Sequence, residues 1–379
     1  MIGRDEKEKP ALTRHRGCLM DVSARQTLIK QRDGLCIFGF NRDYTNERRV
    51  IMKKNRMLIV SLTAVLFLVF AASGWTAAPP KPKGYPARPI EVVVQYGAGG
   101  GSDIFVRSLF NAARKDIGVA VNVTNMTGAA GVKASNYVIS QPADGYTIYN
   151  FSPEQLINTI MGREDYKLFA PLANVQMDES VFYVRGESQF KTIQDVIKYA
   201  KANPGKLQIT GTTPQSPDEI IIMLFAKMAG IKIKYVPFDK APETHAAVLG
   251  GHIDLLHEEP GVIMSLIEAK KLRPLIVFTE KRLPNWPDVP TARELGYDIT
   301  MGRWRGLAVK KGTSQGIIDW LAFILEKATK DPAYSDIAKK SLLDLRPGWQ
   351  GPAEYGKFWG SEFKVYKEIL DDLGYTKKK

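Results

Sequence analysis

The residues best suited to chemistry stand in two short stretches. The first reads Glu91-Val-Val-Val-Gln-Tyr96-Gly97-Ala-Gly99-Gly100-Gly101-Ser102-Asp103. Its glycines let the backbone take unusual torsions and leave no side chains in the way. Ser102 and Asp103 are good caps for a following helix. Such a turn aims free backbone N–H groups and a helix dipole at one point, which suits a carboxylate or a phosphate. The second stretch is Thr210-Gly211-Thr212-Thr213-Pro214-Gln215, followed by Ser216-Pro217-Asp218-Glu219. Ser at the N-cap, Pro at N1 and Glu at N3 mark a helix start. Its hydroxyls and N–H groups either hold a second anionic end or simply cap that helix.

Other chemistries find little support. The glycine loop lacks the G-x-G-x-x-G spacing of a dinucleotide site, and no Gly-Lys-Ser/Thr follows it. There is no G-x-S-x-G elbow, and His15, His245, His252 and His257 have no evident Ser/Asp setting. His252 and Asp254 would share one face of a strand entry, but no second His or Cys cluster stands near them in sequence. No catalytic residue, metal or cofactor is therefore assigned. Glu258 and Glu259 follow a strand end and either face a cleft or form an exposed acidic loop. Arg305 either pairs with a carboxylate or bridges domains.

These residues need elements to position them. Val92, Val93 and Val94 suit a strand buried on both faces. Phe105, Val106, Leu109, Phe110, Ala113 and Ile117 then recur at helical spacing up to Gly118. Further strands are read at 119–124, 146–151, 182–184, 207–210, 231–237, 253–256, 275–278 and 306–309. Helices fall at 132–140, 216–230, 244–249 and 262–271, with one opening at the Thr192/Asp195 cap. Three more, 314–330, 333–344 and 353–373, close the chain. Alternating strands and helices predict largely parallel α/β sheets. Two strand–loop–helix units predict two lobes facing a cleft beyond the strand ends.

The chain has 379 residues and a formal charge of +13. Residues 1–78 hold 14 Lys/Arg and 7 Asp/Glu, leaving 39 and 33 elsewhere, a surplus of 6. That surplus does not argue for nucleic acid. Met52-Lys53-Lys54-Asn55-Arg56 and the apolar run after it read as a secretory signal over residues 52–78, with cleavage after Gly74 or Ala78. The rival reading is an uncleaved membrane anchor, against which the run is short. Residues 1–51 read as a start-site overcall or a disordered prefix. They contain Cys18 and Cys36, so the exported part is free of cysteine and of thiol chemistry. Residues 79–84 read as a linker.

With these residues laid out, the chain resembles the Bug family, the periplasmic solute-binding proteins of tripartite tricarboxylate transporters. The similarity runs from about Tyr85 to near Leu373. It is carried by Tyr85-Pro-Ala-Arg-Pro-Ile, Gly99-Gly-Gly-Ser-Asp103, Asn125-Met-Thr-Gly-Ala-Ala-Gly131 and Pro142-Ala-Asp-Gly-Tyr-Thr147. Ala202-Asn-Pro-Gly-Lys206, Leu249-Gly-Gly-His-Ile-Asp254, Asp288-Val-Pro-Thr291 and Trp304-Arg-Gly306 follow in order.

The resemblance implies a two-domain α/β periplasmic-binding-protein fold (type II, Venus-flytrap) with the ligand cleft between domains. Residues 85–184 and 305–379 would form domain 1, and 185–304 domain 2. It implies a periplasmic, monomeric, non-enzymatic receptor that captures a small organic anion (a carboxylate) or a zwitterion and delivers it to membrane permease subunits. The alternative is a ligand sensor feeding a membrane signalling protein. The implied ligand-binding set is Tyr96, Gly97, Gly99, Gly100, Gly101, Ser102, Asp103, Ser152, Thr210, Gly211, Thr212, Thr213, Ser216 and Glu258. Three features depart from the family pattern. Gln95 stands where many members have Pro, the second loop is not Gly/Ser-rich, and Glu258 and Glu259 add charge that would oppose a polyanion.

Overall fold

The computed structural model describes residues 78–376. The prefix, both cysteines, His15 and all but the last residue of the expected signal lie outside them.

Two five-stranded sheets organise the described chain. The first has β1 (Ile90–Val94), β2 (Val121–Asn125), β3 (Thr147–Phe151), β4 (Phe169–Glu179) and β10 (Gly302–Lys310), in the order β2-β1-β3-β10-β4. The second has β5 (Val181–Arg185), β6 (Gln208–Thr212), β7 (Lys234–Phe238), β8 (Leu255–Glu258) and β9 (Leu272–Val277), in the order β7-β6-β8-β5-β9. Each sheet has a parallel half, as the alternating pattern predicts. Each also has an antiparallel half, which that pattern does not show. β10 runs antiparallel to β3 and β4, and β5 runs antiparallel to β8 and β9.

The chain crosses between sheets at Ser180, between β4 and β5, and returns at β10. Thus 181–184, expected with the first domain, pair in the second sheet, and 302–304 pair in the first. The helices are α1 (Gly101–Ile117), α2 (Val132–Ser140), α3 (Pro153–Ile160), α4 (Ile193–Ala202) and α5 (Pro217–Ala229). They continue with α6 (Ala241–Leu249), α7 (Pro260–Glu268), α8 (Gln315–Thr329), α9 (Pro332–Lys340) and α10 (Pro352–Asp372).

Strand alternation distributes the core. Val92 and Val94 face one cluster with Phe105, Leu109 and Leu321. Val93 faces the other, with Tyr149, Phe151, Trp304 and Trp359. In the second lobe Phe182 and Val184 join Ile221 and Phe225 on one side, and Val181 and Tyr183 join Val248 and Ile263 on the other. A smaller seam of Ile157, Ile220, Tyr366 and Leu370 joins the two lobes.

β10 can lie between β3 and β4 only because Gly306 has no side chain. A Cβ there would overlap the Tyr355 hydroxyl and sit 2.5 Å from the Ala173 carbonyl oxygen. The ladder also shifts register at Arg305/Gly306. Gly306→Ala is therefore expected to destabilise the protein by roughly 1–3 kcal/mol. Gly360→Ala, where a Cβ meets nothing within 4 Å in α10, should instead gain about 0.5–1 kcal/mol. Urea unfolding of both variants checks the contrast.

Candidate ligand-binding site

Both expected glycine and hydroxyl loops reach the seam between the lobes, beyond the carboxyl ends of β1 and β6. The cavity there is lined by Tyr96, Gly97, Gly100, Gly101 and Ser102 from the first loop and by Thr212, Asp218, Asp239, Ala241, Glu258 and Glu259 from the second lobe. Arg303 completes it. Its volume is about 20 Å³, room for roughly one water. The lobes meet closely at Gly97, where a Cβ would lie 3.0 Å from the Lys240 side chain.

The rest of the space is taken by two guanidinium groups. Arg303 and Arg305 lie two apart on β10 and so share a face; they are 4% and 3% exposed. Arg303 donates to Glu154 at 2.6 Å and to Asp218 at 2.7 Å, and its Nε lies 2.9 Å from Glu259. It also donates to the Tyr96 hydroxyl at 3.2 Å. Arg305 pairs with Asp178, approaches Glu259 at 3.1 Å, and donates to Ser102 Oγ at 3.2 Å. Asp218 and Glu259 belong to the second lobe, so three of these pairs cross the cleft.

Most of these acids sit at helix starts. Glu154 lies in the first turn of α3, Asp218 in that of α5, and Glu259 is the N-cap of α7. Of the two helix starts that the sequence marks as anion-ready, that of α5 already carries a carboxylate of the chain itself, Asp218. Asp218 Oδ2 also accepts from the backbone N–H and hydroxyl of Thr212, at 2.7 and 2.6 Å. A Cβ on Gly211 would lie 2.8 Å from the Asp218 Cβ, which accounts for the glycine.

Ser102 lines the cavity, whereas Asp103, Ser152, Thr210, Thr213 and Ser216 sit behind it. Ser102 and Asp103 fall inside the first turn of α1, whose N-cap is Gly100 without a side-chain cap bond. Asp103 reaches back to the Gly99 N–H at 3.0 Å and accepts from Arg107 and Asn125, which holds the loop from within. A Cβ on Gly101 would lie 2.5 Å from Arg305 Nη2, so this glycine makes room for the guanidinium. Ser152 donates to Glu154 at 2.5 Å and accepts from Gln95 at 2.7 Å. Thr210 donates to the Val236 carbonyl, and the Thr213 backbone donates to Phe238. Ser216 caps α5, while Glu219 accepts from Gln215 N and the Tyr375 hydroxyl. Glu219 is therefore tied to the C-terminal tail. His252 and Asp254 precede β8 rather than entering it, and Asp254 accepts from Gln208 N.

Burial and neighbours set opposite protonation for adjacent acids. Burial pushes Glu258 well above the usual carboxylate range, and the adjacent Glu259 adds to the shift. Its partner His245, 2.9 Å away, is lowered by burial to about 4. The two make a neutral acid–imidazole contact at neutral pH. Burial opposes ionisation of Glu259 as well, but Arg305 and Arg303 outweigh it and bring it down to about 2. Asp218 is likewise penalised by burial and carried well below its usual value by Arg303 and His257. Asp178 goes the other way: burial wins over Arg305 and raises it to about 6.

Asp103, Ser152 and the second loop drew attention in the sequence, whereas Arg303, Glu154, Asp178 and Asp218 did not enter the candidate set. The signal for the arginines was present in Arg303-Trp304-Arg305, two cations on one strand face. Asp178 lies on β4, for which the alternation of Ala173, Val175 and Met177 with Asn174, Gln176 and Asp178 was the signal.

Two mixed α/β lobes joined by crossing strands, with helix starts converging on the cleft, are the fold of periplasmic binding proteins. The chain belongs to the tripartite tricarboxylate transporter receptor family, whose profile matches residues 105–375. It is 31% identical over 324 residues to the UPF0065 protein in the gbd 5′ region of Cupriavidus necator, covering 81% of this chain and 94% of that one. Protein BugT of Bordetella pertussis is 28% identical over 317 residues, covering 78% and 97%. Among solved structures, R. palustris Rpa4515 with adipate superposes with a TM-score of 0.71 at 23% identity, covering 76% and 98%.

Two outcomes follow from the arginine cluster. Arg303→Ala leaves Glu154, Asp218 and Glu259 buried beside a lost cation, and should cost roughly 3–5 kcal/mol in urea unfolding. The raised Asp178 contributes stability that is full below 3.8 and is lost as pH rises through about 6. Asp178→Asn should therefore flatten the fall in melting temperature across that window; an unchanged slope would refute the assignment.

Proposed function

We propose that this protein is an extracytoplasmic receptor that captures a small organic carboxylate and delivers it to the membrane subunits of its transporter. The observation that carries this reading is the start of α1. The glycine loop from Gly97 to Gly101 faces the second lobe there, and the N–H groups of Gly101 and Ser102 precede the first bonded one, that of Asp103, which donates to the Gly100 carbonyl at 3.0 Å. A carboxylate seated at that point would be held by backbone donors and the helix dipole. The adipate held by the superposable Rpa4515 supports a small carboxylate as the cargo class. The apolar run with basic flank at 52–78 supports export. We read the receptor as a monomer that needs no cofactor and has no nucleic-acid partner.

Capture works through the lobes. Contacts made by both sides of the cleft exist only in the closed form, so a ligand that uses both sides favours closure. The closed form is then the one read by the permease. A thermal-shift screen of organic acids, amino acids and amines tests the reading, because a ligand selective for the folded state raises its melting temperature. At 100 times Kd the gain is about 2.7 kcal/mol. Small-angle scattering should show compaction, or a change of lobe angle, with each hit. A folded protein that no library member stabilises would sink the receptor reading.

A further inference from the structure

We infer that the ligand carries a cationic nitrogen beside its carboxylate, as an amino acid or betaine does, and that dicarboxylates are excluded. This inference rests on the receptor reading of the cleft and specifies the cargo.

The charge count of the cleft is the first argument. Arg303 and Arg305 supply two positive charges. Glu154, Asp178, Asp218 and Glu259 lie against them, and Glu258 lines the same cavity. With Glu258 neutral, four acids still lie against two cations, and Asp239 lines the cavity as well. A dianion entering this space would add charge of the sign already in excess, in a site that excludes water. Displacing the acids from the arginines does not help, because each freed carboxylate would remain buried without a partner.

The second argument is geometric. The carboxylate seat at Gly100, Gly101 and Ser102 and the acids Glu258 and Glu259 line one cavity, from opposite lobes. The cavity as it stands holds about one water, so the lobes must part to admit a ligand; a small zwitterion between them would then have each end facing its complement. The arginines then act as internal counter-ions rather than as ligand clamps. Among the described residues no three His, Cys, Asp or Glu side chains converge as metal ligands, which favours an organic cation over a metal ion.

The test uses the purified full receptor with L-glutamine, L-arginine and glycine betaine on one arm, and succinate, malate and adipate on the other. Calorimetry at pH 7.5 is run in two buffers of different ionisation enthalpy. At least one nitrogen-bearing probe is expected to bind with proton release, because a cation beside Glu258 ionises it. Glu258→Gln should abolish the release and weaken that probe about 10-fold or more, with the unliganded melting temperature close to wild type. Binding by a dicarboxylate but by none of the nitrogen-bearing probes would overturn the inference and leave the receptor reading intact. Nitrogen-probe affinity unchanged in Glu258→Gln would overturn the assigned seat. Failure of every probe, together with every member of the wider library, would remove the receptor reading and this inference together.

Discussion

A guanidinium as buried as Arg303 stays charged only if the groups around it outweigh its lost hydration. Burial does work against it, yet Asp218, Glu154, Tyr96 and Glu259 together hold it more firmly protonated than a free arginine. Two of those acids come from the opposite lobe. The dependence is mutual, since Glu259 and Asp218 ionise in the interior only because the arginines are there. The position of the lobes, the ionisation of the cluster and the small size of the cavity are therefore one coupled property.

The coupling reaches into the first lobe through hydrogen bonds. Glu154 accepts from Ser152, Ser152 from Gln95, and the Ser152 backbone donates to Gln155. Gln155 donates to the Tyr149 hydroxyl at 2.9 Å. The loop at Gly131 packs on this chain, where a Cβ would press on Gln95 and Gln155 at 3.4 Å. Small residues in both turns of the first lobe thus have a steric reason: they let backbone approach a polar network that cannot move aside without leaving charge unpaired. Gln95, a departure from the family pattern, is one link of that network.

Much of the architecture was legible. β-Branched runs, helical spacing and turn residues gave the parallel halves of both sheets, since those signals are local. The antiparallel halves were not. β4 pairs with β10 far away in sequence, and although Ala173, Val175 and Met177 alternate with Asn174, Gln176 and Asp178, alternation alone names neither the partner strand nor its direction. The start of α5 was read as a place for a ligand's negative charge or a simple cap, and Asp218 of the chain itself stands there. Asp218 and Glu259 stand beside Glu219 and Glu258 in sequence, and nothing local says which of each pair turns inward to an arginine. That choice is made by β10, whose register against β4 and β3 depends on Gly306.

Closure in this protein draws on two kinds of contact with different consequences. The apolar seam of Ile157, Ile220, Tyr366 and Leu370 is indifferent to ligand charge and holds the lobes by burial alone. The arginine–acid pairs are sensitive to charge, because each pair is worth keeping only while the cleft excludes water and its count of charges is tolerable. A ligand can bias the lobes only through the difference it makes between open and closed forms. Here that difference is governed less by attraction to the arginines, which are already satisfied, than by the acid left over once they are. On the proposed reading, specificity is set by the unmatched carboxylates, with the glycine loop as the carboxylate seat beside them.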